Sequence, residues 1–166
     1  MLPYTGKAYF NVNGVTLHAF LKLSIGSKRL TELKRIAPQK LQSNLENVEY
    51  FIIDENSLVG QSLLGWIDSR CRQATGLASR SFGGLSVIVV GDIAQLTPVG
   101  DKPIYHSLPK TDKQIQGHLM YQHGLKKVVP LIVNHRVGGT SIEQHLFRDL
   151  LLRARNSEST PADWHT

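Results

Sequence analysis

An open α/β fold, with a mostly parallel sheet flanked by helices, is the fold class this chain predicts, and three observations carry it. Tyr50-Phe51-Ile52-Ile53 is a short apolar run that ends in Asp54-Glu55, and Leu85-Ser86-Val87-Ile88-Val89-Val90 is a second that ends in Gly91-Asp92, with Gln95 three residues on. Short apolar runs of this kind read as buried parallel strands. Between them, Ser57 to about Thr75 carries Leu58, Leu63, Leu64, Trp66, Ile67 and Cys71 as a broad apolar stripe at helical spacing. Strands in such a sheet deliver their last residues to the carboxyl edge, where ligands bind.

The other elements follow in order. Residues 1–23 are short apolar pieces broken by Gly6, Asn11, Asn13 and Gly14, with Thr16 placed to cap a short helix over Leu17–Leu23. Residues 24–37 are basic and polar and read as loop with a helical turn. Pro38 is suited to the first position of a helix, Leu41 and Leu45 lie on one face of it, and Asn47 stops it. The first strand spans 48–53. Ser81-Phe82-Gly83-Gly84 is a turn, and the second strand spans 85–90. Residues 97–113 hold Pro98, Pro103 and Pro109 and read as an irregular loop. A short helix is expected over 115–123 and a third strand over Val128–Val133, where Pro130 argues for an edge position or a bulge. Ser141 to about Arg155 is an amphipathic helix with Ile142, Leu146, Leu150 and Leu151 on one side.

Composition sets bounds. The 166 residues are 41% apolar and 19% charged, ordinary for one soluble globular domain. A formal charge of +6 permits a nucleic-acid partner without requiring one. The basic residues come as pairs (Lys28-Arg29, Lys34-Arg35, Lys126-Lys127), which read as solvated faces, as do Arg148, Arg153 and Arg155. Cys71 is the only cysteine, so no internal disulfide forms and a reducing compartment fits. No apolar stretch reaches the roughly 18 residues of a membrane span, so no membrane association is expected.

An Asp-Glu pair after an apolar strand suits a magnesium-nucleotide site, where one carboxylate holds the ion and the next orients or deprotonates the attacking water. Neighbouring strands would bring Asp54, Glu55 and Gln95 together, and the pattern implies a nucleotide hydrolase. Tyr4-Thr5-Gly6-Lys7 imitates the end of a phosphate-binding loop and fails. Met1 stands where that loop needs a glycine, and Ala8 where it needs Ser or Thr. The histidines form no HExxH, and a lone cysteine completes no zinc quartet; His106, His118, His123 and His165 read as surface residues. No G-x-S-x-G elbow supports serine hydrolase chemistry.

These residues, in this order, resemble the petite-integration-frequency (PIF) type of ATP-dependent DNA helicase, a RecD-like group of helicase superfamily one. Thr5-Gly6-Lys7-Ala8 with Asn11-Val12-Asn13-Gly14-Val15-Thr16-Leu17-His18 looks like the family's DNA-touching motif. Ile52-Ile53-Asp54-Glu55-Asn56-Ser57 looks like its magnesium motif, and Gly91-Asp92-Ile93-Ala94-Gln95-Leu96-Thr97-Pro98-Val99 like its sensor motif. Asn134-His135-Arg136 resembles the next motif, and Phe147-Arg148-Asp149-Leu150-Leu151 through Thr160 and Asp163 the helix and turn beyond it. Thr97 stands where the family usually shows proline, Val137 where it often shows glutamine, and Asn56 where it usually shows a small or apolar residue.

The resemblance implies a partial RecA-like P-loop NTPase motor domain over 1–133, lacking its first strand and phosphate-binding loop, with the start of a second motor domain or a linker over 134–166. It implies ATP and Mg²⁺ as ligands: Asp54 for the ion, Glu55 as catalytic base or water-positioner, Gln95 as γ-phosphate sensor, and Arg136 as the arginine that stabilises the transferred phosphoryl group. It implies single-stranded DNA or DNA junctions as partners, met by Thr5, Lys7, Thr16 and His18, with His18 equally placed to cap a helix. Phe20 either stacks on a base or joins the core. The family's activity is 5′-to-3′ DNA unwinding, with roles in DNA repair, recombination and telomere maintenance. A monomer in the nucleus, or alternatively the mitochondrion, is the expectation. The isolated chain is expected not to unwind DNA and at most to hydrolyse ATP feebly. The competing readings are a non-catalytic single-stranded DNA-binding or partner-binding remnant of a transposon-derived helicase, and a fragment that does not fold stably alone.

Overall fold

The computed structural model describes residues 15–23, 36–133 and 141–164. The chain divides into two compact units, residues 1–126 and residues 127–166.

In the first unit, α1 (Leu17–Phe20) is capped by Thr16, whose Oγ1 accepts the Ala19 N–H at 3.4 Å. Helix α2 (Ile36–Leu45) buries Leu41 and Leu45. It starts two residues before Pro38, which therefore lies in the first turn, where a missing N–H removes no intrahelical bond. Strand β1 (Tyr50–Ile53) leads into a 3₁₀ turn, Asn56–Leu58, and then α3 (Gln61–Thr75). The single helix expected from Ser57 is thus interrupted at Val59-Gly60. A distant residue causes the break: Asp101 Oδ2 accepts the Ser62 N–H at 2.8 Å and the Leu63 N–H at 3.3 Å, capping α3 from 39 and 38 residues away. Gly60 makes an antiparallel bridge to Pro103, and a Cβ there would lie 2.2 Å from that same carboxylate oxygen.

Helix α3 ends at Gly76, whose φ of 73° is the left-handed closure that glycine provides. A tight turn over Ser81–Gly84, with Phe82 at φ 50°, leads into strand β2 (Ser86–Val89). Strands β1 and β2 pair in parallel, Tyr50 opposite Ser86 and Ile53 opposite Val89. Helix α4 (Asp112–Leu119) begins earlier than expected because Thr111 and Gln114 form a capping box, and a π-helical turn, Met120–Gly124, extends it.

The core gathers Leu17, Leu21, Leu41, Leu45, Phe51, Ile53, Leu64, Ile67, Cys71, Phe82, Ile104 and Met120. Phe51 and Ile53 turn inward from β1, with Val87 and Val89 of β2 packed against the same cluster. Tyr50 and Ile88, on the other face, are 63% and 45% exposed, so among the described residues the strands are covered on one face rather than both. Helices α3 and α4 meet through glycine. A Cβ on Gly117 would lie 1.9 Å from the Gln61 carbonyl oxygen, and one on Gly65 would lie 2.2 Å from that of Lys113. Buried Asp68 is satisfied from three sides: Arg72 Nε donates at 2.7 Å, Gln116 Nε2 at 2.6 Å and the Phe82 N–H at 2.6 Å. That carboxylate ties α4 and the turn before β2 to α3.

The second unit corrects one expectation outright. Val128–Val133 is no strand: it pairs with nothing in the described sheet, and its apolar residues are between 66% and 91% exposed. Pro130 has no N–H to give a ladder, and apolar content alone does not form a strand without a neighbour to pair with. Helix α5 (Ile142–Arg155) opens on a Ser141/Gln144 capping box and buries none of its residues. Its apolar side is present but open, with Ile142 79% exposed. Arg153 lies on a solvated face and is also ion-paired. It donates to both carboxylate oxygens of Asp163, at 2.5 Å and 3.2 Å, and so closes the 3₁₀ turn Pro161–Trp164 against α5. That contact raises the guanidinium and, with the Thr160 N–H, holds the Asp163 carboxyl well below the usual carboxylate range.

Candidate functional site

The parallel pairing decides where the acidic residues go. Because Ile53 lies opposite Val89, the segments leaving β1 and β2 emerge side by side at the carboxyl edge of the sheet. Two backbone hydrogen bonds extend that pairing past the strands: the Val90 N–H donates to the Ile53 carbonyl at 2.8 Å, and the Asn56 N–H donates to the Val90 carbonyl at 3.0 Å. Asp54 and Glu55 lie within this stitched stretch, half-buried.

Asp54 Oδ1 accepts the N–H of Glu55 at 3.0 Å, which fixes the carboxylate at the start of the turn. Glu55 adopts φ 57°, ψ 56°. For a residue with a Cβ the left-handed region costs about 1 kcal/mol or more, and such conformations gather at functional sites. On the neighbouring segment, Asp92 Oδ1 accepts the Ala94 N–H at 3.0 Å, and the Gln95 N–H donates to the Asp92 carbonyl at 3.1 Å. Asp92 therefore folds the turn that carries Gln95 out to an exposed position. Gly91, at φ 147°, lets this segment pass against Asn56: a Cβ on Gly91 would lie 2.6 Å from Asn56 N and 2.7 Å from Asn56 Oδ1.

The structure thus brings Asp54 and Glu55 to the same edge as the Asp92–Gln95 turn. Thr16 caps α1, and His18 lies inside that helix, so the capping group is Thr16. Burial lowers the His18 pKa. Phe20 packs on the core, its ring centroid 6.1 Å from that of Phe51. Of the histidines expected at the surface, His118 is half-buried with Nδ1 3.4 Å from Gln61 Nε2, while His123 is exposed. Thr5, Lys7, Arg136 and His165 lie outside the described residues, as do the Asn11–Gly14 and Asn134–Arg136 motifs.

The sequence reading missed what Asp92 and Asn56 do. Asp92 followed two residues later by a backbone N–H it can accept is an Asx-turn signal that was available; Asn56 stood out only as a departure from the family's pattern, since the residue it meets, Gly91, is distant in sequence. Among the described residues no group of three or more His, Cys, Asp or Glu side chains could hold a metal ion. Two adjacent carboxylates are nonetheless the donor set Mg²⁺ takes when nucleotide phosphates and water supply the rest. No helix among the described residues is long and apolar enough to cross a membrane.

Comparison with known proteins agrees with this geometry. A family model described as PIF1-like helicase matches residues 3–161. The chain is 36% identical over 97 residues to the ATP-dependent DNA helicase PIF1 of Emericella nidulans, covering 57% of this chain and 13% of that protein. It is 38% identical over 102 residues to the ATP-dependent DNA helicase Pif1 of Bdellovibrio bacteriovorus, covering 60% of this chain and 23% of that one. The chain therefore spans less than a quarter of the length of these curated relatives. Among solved structures, the Bacteroides Pif1 helicase in complex with ADP-AlF3 and ssDNA superposes with a TM-score of 0.67 at 27% identity, over 98% of this chain and 37% of that one. The Candida albicans Pif1 helicase gives a TM-score of 0.67 at 21% identity over 98% of this chain and 34% of that one, a likeness of fold. The α/β architecture is that of a partial helicase motor domain, and the chain belongs to the PIF1-like helicase family.

Proposed function

We propose that the chain is the segment of an ATP-dependent 5′-to-3′ DNA helicase that holds the acidic half of its nucleotide site, within a first motor domain over 1–133 and the opening of a second over 134–166. The observation that carries the reading is the parallel register of β1 and β2, with the Asn56-to-Val90 hydrogen bond that joins the segments bearing Asp54-Glu55 and Asp92–Gln95. Asp54 is the carboxylate that would hold Mg²⁺, which when bound neutralises charge on the nucleotide phosphates. Glu55 accepts a proton from the attacking water or orients it, and its left-handed backbone sets it apart from the strand that delivers it. Gln95, exposed at the tip of the Asp92 turn, senses the γ-phosphate, and Arg136 is assigned the charge-stabilising role.

Single-stranded DNA is the proposed partner, with Thr5, Lys7, Thr16 and His18 as backbone contacts. Phe20, partly buried with its ring toward Phe51, is assigned to the core rather than to base stacking. The relative crystallised with ssDNA and a nucleotide analogue supports this pairing of ligands. A nuclear or mitochondrial site of action, and roles in repair, recombination and telomere maintenance, belong to the same proposal.

The test is phosphate release with saturating ATP, Mg²⁺ and single-stranded DNA, on this chain and on the longest natural polypeptide that contains it. DNA-stimulated turnover in the longer polypeptide, reduced about 10²-fold or more by Glu55→Gln, is the expected result. Salt-sensitive DNA binding without nucleotide turnover in either would instead assign a binding module.

A further inference from the structure

Asn56 departs from the small or apolar residue expected beside the magnesium motif, and the structure shows it in an unusual setting. Its Oδ1 is buried and accepts no hydrogen bond. Leaving a buried carbonyl unsatisfied is unfavourable, and an apolar residue of similar size would avoid that penalty. The amide lies against the backbone of Gly91, where a Cβ would come within 2.7 Å of Oδ1. Its own N–H is already committed to the Val90 carbonyl at 3.0 Å. Asn56 thus spans the seam between the segment carrying Asp54 and Glu55 and the turn carrying Asp92 and Gln95, with one acceptor in reserve.

We propose that Asn56 is a positioning residue that couples the two segments. Its Oδ1 is the acceptor that the backbone N–H groups of the Gly91-Asp92 turn engage when nucleotide is held at the carboxyl edge, which fixes Gln95 relative to Glu55. The side chain acts through its neighbours and needs no contact with the reacting atoms. The inference rests on the nucleotide-hydrolase reading above.

Asn56→Leu keeps the branched shape, at a larger volume, and removes the acceptor; Asn56→Ala is the second variant should leucine disturb the fold. Both are made in the longest natural polypeptide that contains the chain. Steady-state ATP turnover with single-stranded DNA is measured beside backbone hydrogen exchange of residues 90–96, with and without ADP-aluminium fluoride and Mg²⁺. In the parent, the nucleotide analogue slows exchange in that segment. In the variants the slowing is lost and kcat falls about tenfold, equivalent to about 1.4 kcal/mol in the barrier, while KM for ATP stays within about twofold. A merely structural asparagine would lower the nucleotide-free melting temperature and leave both the exchange response and kcat unchanged; that result, or a variant indistinguishable from the parent, overturns the inference. The two readings fail separately. A parent that neither turns over ATP nor responds to Glu55→Gln overturns the hydrolase reading and this inference with it, whereas an active, Glu55-dependent parent with a normal Asn56→Leu variant overturns this inference alone.

Discussion

At the scale of single residues, Cys71 shows how burial controls chemistry. Its thiol is enclosed in the core, and burial, with the nearby Asp68 charge as a lesser contribution, pushes its pKa up to about 12. The thiolate is the reactive form, so raising a thiol from its ordinary pKa near 8.5 to that range leaves roughly a thousandfold fewer thiolates near neutral pH. Iodoacetamide at pH 8 should therefore label the native chain at least about a hundredfold more slowly than the urea-unfolded chain. Comparable rates in the two states would mean that α3 does not pack as described. Legibility follows the same line between local and distant causes. The placement of Asp54, Glu55 and Gln95 after neighbouring strands could be read directly, because an apolar strand followed by carboxylates is a pattern contained in a few residues. Asn56, Asp68 and Asp101 could not, because each is defined by a partner far along the chain: Gly91, Phe82 with Gln116, and Ser62. The same distance explains why the break before α3 was invisible, since its cause is a carboxylate 39 residues downstream.

At the scale of elements, the α3–α4 contact depends on two glycines that sequence alone reads as weak points. A glycine inside a helix costs about 1 kcal/mol relative to alanine, so Gly65 and Gly117 look like faults until the helices are seen to touch. Backbone then meets backbone: the space for a Gly117 Cβ is taken by the Gln61 carbonyl oxygen at 1.9 Å and the Gly65 nitrogen at 3.0 Å. Neither partner is the flexible end of a side chain, so relief requires one helix to move as a body. Gly117→Ala should destabilise the chain by about 1–3 kcal/mol, or more, despite alanine's better helix propensity. Urea titration followed by circular dichroism would measure it, and a gain in stability would refute the close approach. The start of α5 at Ser141 was readable from its apolar spacing, whereas α4 begins three residues before its expected start because the Thr111/Gln114 capping box was not read. The expected strand at Val128–Val133 failed for a different reason, since apolar content gives no information about whether a pairing partner is available.

At the scale of the whole molecule, the chain is two units whose internal organisation differs sharply. The first has a core built from α1 to α4 and the sheet; in the second, α5 buries nothing, and its described fixed point is the Arg153–Asp163 ion pair. An exposed pair of this kind contributes little and is screened by salt. The chain leaves the first unit through Lys126-Lys127-Val128-Val129-Pro130-Leu131-Ile132-Val133, without regular secondary structure and with both lysines exposed. Proteases cut where an exposed, unpaired backbone can be drawn into an extended conformation. Trypsin at low ratio should therefore cleave after Lys126 or Lys127 well before it cleaves after the buried Arg70 or the half-buried Arg72 and Lys113, which the α3–α4 packing protects. Mass spectrometry of the early products should show a fragment ending at residue 126 or 127 that is intact at Arg70, Arg72 and Lys113. Early cuts at Arg72 or Lys113 would mean that the first unit does not hold together, and with it would go the rigid frame on which Asp54, Glu55 and the Asp92–Gln95 turn depend for their common edge.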